Sequence, residues 1–342
     1  MNTRGRLVAS AAVAVVLLAG CSAGPSAQVS APPAATPTAT AARQLMALER
    51  VPAPSLAGNL LGDPTEREAL VVLPPSYVDS DARYPVVYFL DGHQESVGRF
   101  GPVRAQLAKQ MQGAGKREFI VVEIDGRGGL PGNFYANSPV SGNVADFVAE
   151  DLTSYIDAHY RTVADRSSRG LAGFSMGGSG AVNLGLARPD VFGAVYAQSP
   201  GLLDPNGGLE AMLQDNGAWP EYAAAFAPDP TATAAPYAHL LDPSRPLAEQ
   251  DPGVVAGYQS GFGDLATKLQ AYLAQPVRLS AIRVSYGTND SYAWIPKGCD
   301  YFVGLLDAAG VPHSLRTFTG GHTVDDVFLG SDFVDYFSAQ LT

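Results

Sequence analysis

The stretch Leu171-Ala172-Gly173-Phe174-Ser175-Met176-Gly177-Gly178 decides how the chain is read. An apolar run enters it, Gly-x-Ser-x-Gly sits at its centre, and small residues at helical spacing leave it (Ser179, Gly180, Ala181, Val182, Leu184, Leu186). This is the pattern of a strand, a sharp turn and a helix, with the turn holding a serine out at the top of a sheet. Such a strained turn needs neighbours without side chains two positions before and after the serine, where strand and helix nearly touch. Gly173 and Gly177 meet that need, and Ser175 becomes the candidate nucleophile.

Outward from this stretch, apolar runs of strand length alternate with helical patterns. Tyr84 to Leu90 is nearly continuous in apolar residues, as is Phe119 to Ile124, which fits parallel strands covered on both faces. Further strands are expected at Glu68 to Leu73, Gly170 to Phe174, Phe192 to Ala197, Ile282 to Tyr286 and Ser314 to Phe318. Helices are expected at Ala105 to Met111, at Val144 to Ile156 (with Phe147, Val148, Leu152 and Tyr155 on one face), and at Leu265 to Leu273, Tyr301 to Ala309 and Val324 to Leu341. The fold class is therefore α/β, a mostly parallel central sheet with helices on both faces, and functional loops belong at the carboxyl ends of its strands. From Gly201 to Gly263 the alternation stops in favour of Gly, Pro, Ala, Asp and Asn, with Trp219, Tyr222, Phe226 and Tyr237 interspersed. An aperiodic stretch of this length is expected to be an insertion that acts as a lid or a substrate wall.

The chain of 342 residues is 46% apolar and 16% charged, enough for one large domain. Its formal charge of -11 is scattered, without a Lys/Arg cluster, which argues against a nucleic-acid partner. Arg4 and Arg6 precede an apolar run from Leu7 to Leu18 that closes as Leu18-Ala19-Gly20-Cys21. A basic start, a short apolar core and small residues describe an export signal over 1–20, and the closing residues resemble the bacterial lipobox, which implies cleavage before Cys21 and a lipid on that cysteine. Residues 21–46, rich in Ala, Pro, Thr and Ser, are expected to tether a domain spanning 47–342 to the extracytoplasmic face of the membrane, with a plain secreted form as the alternative. Cys299 then has no disulfide partner and is expected to be structural.

A serine hydroxyl needs a base, and the base needs an acid to hold its tautomer. His159 ends a helix, His239 lies in the insertion, and His313 precedes the last strand at its amino end. His322 follows that strand through Gly320-Gly321, at the same edge as Ser175, and is the expected base. Asp290 follows the penultimate strand in Gly287-Thr288-Asn289-Asp290 and is the expected acid, whereas Asp300, Asp325 and Asp326 are explained as residues that begin helices. The order Ser175, Asp290, His322 is that of the α/β hydrolases. Oxyanion donors are expected from the amide of Met176, after the nucleophile, and from the amide of His93 in the loop Asp91-Gly92-His93-Gln94. His-x-x-x-His and paired cysteines are missing, and Gly126 to Gly132 lacks the Gly-x-Gly-x-x-Gly spacing, so neither metal nor nucleotide cofactor is expected.

Taken together, Tyr88-Phe89-Leu90-Asp91-Gly92, Asn133 to Ser138, His159-Tyr160-Arg161-Thr162, Gly173 to Gly178, Gly287 to Asp290 and Gly320 to Thr323 carry a family resemblance. From about Leu70 onward the chain resembles the esterase family within the α/β hydrolases that includes esterase D (S-formylglutathione hydrolase), feruloyl esterases, enterochelin esterases and mycolyltransferases. The resemblance implies a cofactor-independent serine esterase with its triad on Ser175, Asp290 and His322 and its oxyanion donors on Met176 and His93. Asp91-Gly92 is similar to the mycolyltransferase version of that loop. Tyr135 and Asn137 are expected to line the substrate cleft or to order their own loop. The substrate is expected to be a small-molecule or cell-envelope ester. Acyl transfer to an envelope sugar and a binding role on an inactive fold stand as alternatives.

Overall fold

A computed structural model describes residues 45–342. The expected export signal, Cys21 and the tether as far as residue 44 lie outside the described residues. Leu45 already packs against the core and Met46 opens the first strand, so the described residues begin just before the expected domain boundary.

Eight strands form one sheet: β1 (Met46–Pro52), β2 (Glu66–Val72), β3 (Val86–Leu90), β4 (Ile120–Ile124), β5 (Arg169–Phe174), β6 (Ala194–Gln198), β7 (Ala281–Gly287) and β8 (His313–Phe318). Their spatial order is β1-β2-β4-β3-β5-β6-β7-β8. From β4 to β8 every pairing is parallel, while β1–β2 and β2–β4 are antiparallel. Strand β1 has no counterpart in the expectations above, because one of its faces is exposed and Met46, Leu48, Glu49 and Arg50 mix apolar and charged residues.

The continuous apolar runs serve two cores. In β3, Val86, Tyr88 and Leu90 face one of them and Val87 and Phe89 the other, as a period of two requires. Helices α1 (Phe100–Met111) and α9 (Phe333–Gln340) cover the second face through Phe100, Leu107, Phe333 and Phe337. The first face is covered by α2 (144–159, a π turn at Phe147–Leu152 within it), α3 (Met176–Ala187), α7 (Leu265–Leu273) and α8 (Trp294–Ala309).

The stretch 201–263 is more regular than expected. It holds α4 (Gly208–Asn216), α5 (Pro220–Phe226) and α6 (Pro252–Phe262) around an irregular run. Helix α8 begins at Trp294, seven residues before the expected start, because Pro296 falls in its first turn, where a missing N–H costs nothing. Asp300 is therefore inside a helix and caps nothing; its Oδ1 accepts a hydrogen bond from the Tyr286 hydroxyl at 2.6 Å.

Candidate active site

The site is built at the carboxyl ends of the parallel strands. Strand β5 ends at Phe174 and α3 begins at Met176, leaving Ser175 between them with φ 54° and ψ −116°. Its N–H donates to the Gln198 carbonyl at 2.9 Å, which ties the turn to the end of β6. A Cβ on Gly173 would lie 2.2 Å from the Gly177 carbonyl oxygen, and one on Gly177 would lie 1.9 Å from the Leu90 carbonyl oxygen. Both glycines are required by close approach of backbone to backbone.

Strand β7 delivers Asp290 and β8 delivers His322 to the same rim. Asp290 has a fully buried carboxylate, whose Oδ1 accepts the Tyr292 N–H at 2.9 Å and whose Oδ2 lies 2.8 Å from His322 Nδ1. An ionised carboxylate only accepts, so the ring proton sits on Nδ1 and Nε2 is left as an acceptor. Ser175 Oγ lies 2.8 Å from that Nε2. The ring is further held by Phe174 at 5.0 Å and by the edge of Tyr292 at 5.1 Å. Such an arrangement can withdraw the serine proton as Oγ attacks a carbonyl carbon.

Beside Ser175 the loop Asp91–Glu95 has almost every amide committed. The N–H groups of Asp91, Gly92, Gln94 and Glu95 donate to Ile124 O, Glu95 Oε2, Pro131 O and Gly92 O, at 3.0, 2.8, 3.3 and 3.3 Å. The His93 N–H donates to no acceptor among the described residues. Met176, as the first residue of α3, has an N–H that its helix cannot use. His93 and Met176 both line a cleft of about 240 Å³ that also takes in Ser175 and His322.

The cleft departs from expectation in its walls. Tyr135 is not among its lining residues: the ring is buried against Gly180, and its hydroxyl donates to the carbonyls of Asp91 at 2.9 Å and Ile124 at 3.2 Å. Asn137 is also absent from the wall; it is exposed and accepts the Asp146 N–H at 3.2 Å, at the start of α2. Both residues order the loop that carries them. The walls come from Trp219, Asn216 and Phe262 of the insertion and from Tyr292, Trp294 and Ile295 around the start of α8.

Asp91 points away from the cleft. Its carboxyl is wholly buried, with Oδ1 accepting from Arg99 Nε at 3.3 Å and Oδ2 lacking a partner among the described residues. Arg99 also binds Glu95, and the buried Glu123 accepts the N–H groups of Arg99 at 2.6 Å and Phe100 at 3.2 Å. Burial first, and the charge of Glu123 second, push the Asp91 carboxyl above its ordinary range. His159, His239 and His313 lie away from the cleft: His159 stacks on Tyr155, and His239 and His313 lie near Asp229 and Asp307. Cys299 is buried, which pushes its thiol pKa up.

A family model described as "Putative esterase" matches residues 64–295. The chain belongs to this family. The matched span includes Ser175 and Asp290 and stops short of His322. An esterase of Mycobacterium tuberculosis is 34% identical over 114 residues, which are 33% of this chain and 24% of that protein. The chain thus spans about a quarter of the length of the curated relative it matches. Among solved structures, a ferulic acid esterase superposes with a TM-score of 0.58 at 20% identity, over 87% of this chain and 98% of its own. An S-formylglutathione hydrolase from Agrobacterium tumefaciens gives 0.58 at 18%, over 87% and 95%. The fluorophosphonate-binding serine hydrolase F of Staphylococcus aureus gives 0.56 at 13%, over 87% and 98%. The fold is that of the α/β hydrolases.

Proposed function

We propose that the chain hydrolyses carboxylic esters through an acyl-enzyme on Ser175. One observation carries this: a hydrogen-bonded series runs from the buried Asp290 through His322 to Ser175 Oγ, both links 2.8 Å, at the floor of a cleft. As Oγ bonds to the substrate carbonyl carbon, His322 Nε2 takes the serine proton; it returns that proton to the alcohol as the ester C–O bond breaks. Water then attacks the acyl-enzyme, its proton passing to the same nitrogen and on to Ser175. The amides of His93 and Met176 bind the oxyanion in both steps. The same steps cleave a thioester. Esterase-family membership and the likeness to solved ester hydrolases support the reading.

The cleft favours a short or planar acyl group. Trp219, Phe262, Tyr292 and Trp294 present rings, and about 240 Å³ leaves little room for a long chain. Substituting Ser175→Ala lowers turnover of p-nitrophenyl acetate by about 10⁴- to 10⁶-fold with the thermal transition unchanged. Hydrolysis that survives in the purified variant refutes the assignment. Product analysis with and without a sugar acceptor separates hydrolysis from acyl transfer.

We further take Cys21 to carry a lipid that holds the domain at the extracytoplasmic face, supported by Leu18-Ala19-Gly20-Cys21 after an apolar run. On that basis Cys21→Ala moves the protein from the membrane fraction to the soluble one. Membrane association that persists in this variant removes the anchor.

A further inference from the structure

The insertion does more than wall the cleft, because one of its residues reaches into the loop that carries the free His93 amide. Glu221, in the first turn of α5, is buried, and its Oε1 lies 2.5 Å from His93 Nε2. Burial is the largest influence and raises its pKa, yet hydrogen bonds from His93, from its own backbone N–H and from Trp219, together with the charge of His93, outweigh burial and hold the carboxyl below its ordinary range. Glu221 is therefore an acceptor at neutral pH, and His93 donates through Nε2–H.

The ring has little freedom beyond that bond. It stacks on Phe134 at 6.3 Å and 23°, and Trp219 meets it edge-on at 5.0 Å. A Cβ on Gly132 would lie 2.8 Å from its Cδ2. Two side-chain torsions separate such a ring from its own backbone, so fixing the ring restricts where the His93 N–H points. The amides on either side of it are already bonded within the loop or to Pro131.

We propose that Glu221 is a positioning residue for oxyanion binding: it holds the His93 imidazole and, through it, the His93 N–H at the place where the substrate oxygen becomes charged. The insertion is then part of the catalytic apparatus as well as a wall, since α5 follows directly on Trp219. This rests on the assignment of Ser175 and of the oxyanion donors made above.

The test is steady-state kinetics of the purified full chain on p-nitrophenyl acetate with Glu221→Leu, Glu221→Gln, His93→Phe and the double variant Glu221→Leu/His93→Phe. Phenylalanine keeps the ring contacts of His93 and removes the bond. Glu221→Leu and His93→Phe are each expected to lower kcat about 10- to 100-fold with KM within about twofold, because the lost interaction is made only with the developing oxyanion. Glu221→Gln keeps an acceptor oxygen and is expected to recover most of the loss. The double variant is expected to be no worse than the poorer single variant, since both break one bond. If Glu221→Leu unfolds, Glu221→Gln and His93→Phe decide the matter between them. The proposal is overturned by kcat within twofold of the parent in His93→Phe, by losses that multiply in the double variant, or by a change confined to KM. Ser175→Ala in the same assay keeps the two claims apart: an active Ser175→Ala defeats the hydrolytic assignment, whereas an inactive one beside an unaffected His93→Phe defeats only the role of Glu221.

Discussion

At Ser175 the backbone sits in a region that residues with a Cβ rarely occupy, and such conformations cost about 1–3 kcal/mol. The surroundings hold it there: the Ser175 N–H bonds to Gln198, and Gly177 lets α3 come against the last carbonyl of β3. Replacing Gly177→Ala puts a methyl group 1.9 Å from the Leu90 carbonyl oxygen, so helix or strand must move. The expected cost is about 3 kcal/mol in urea unfolding, together with a large loss of turnover because Met176 moves with the helix. A variant with parental stability and rate would mean that the turn tolerates a side chain. This much is legible in Gly-x-Ser-x-Gly, because the constraint is local and steric. The Glu221 contact is not legible: 128 residues separate it from His93, and a glutamate after a proline reads as an ordinary first-turn acid.

Among the elements, those with both faces buried announce themselves and those with one face or a short span do not. Strands β3 to β6 are near-continuous apolar runs, and the ends of β7 and β8 bring Asp290 and His322 to the rim that carries Ser175. Strand β1, half exposed, left no such trace. In the insertion, α4 and α5 are separated by Gly217 at φ 69° and Trp219 at φ 43°, and the buried face of α5 is largely alanine, so no apolar period of 3.6 develops. Helix α6 did leave a signal. Asp251 accepts the N–H groups of Gly253 at 2.8 Å and Val254 at 3.1 Å, with Pro252 in the first turn, which is a helix start written in three residues. The insertion is locked from within as well: the Tyr222 hydroxyl donates to Tyr258 O at 2.8 Å and accepts the Phe262 N–H at 2.8 Å. Phe262 therefore presents a fixed ring to the cleft, which suits a wall. Of the two roles open to Tyr135 and Asn137, the structure shows the ordering of their loop, and the sequence leaves the choice open because the hydrogen bonds that decide their orientation run back into that loop and to β3 and β4.

For the molecule as a whole, the buried carboxylates beneath the His93 loop make folding stability depend on pH. Asp91 and Glu95 share the single guanidinium of Arg99, while the buried Glu123 beside them accepts only backbone N–H groups, so the cluster is short of positive charge. Burial is the main cause that raises both Asp91 and Glu123, and the repulsion of Glu123 adds to it at Asp91. A carboxyl whose pKa is higher folded than unfolded keeps its proton in the native state while the unfolded chain has released it. Its contribution to stability is then complete below the ordinary carboxylate range and is lost as pH rises through the folded-state value, by up to about 1.4 kcal/mol per pH unit for one proton. Asp91→Asn places a permanently neutral group of the same shape there, with an oxygen for Arg99 and an N–H where the acid carries its proton. Urea unfolding at pH 5, 6, 7 and 8 is therefore expected to show the stability of the variant relative to the parent rising steadily from pH 5 to pH 8. Parallel profiles would mean that Asp91 is ionised in the fold and that Arg99 neutralises it despite its burial. The cluster also caps the start of α1 through Glu123 and receives the Gly92 N–H through Glu95.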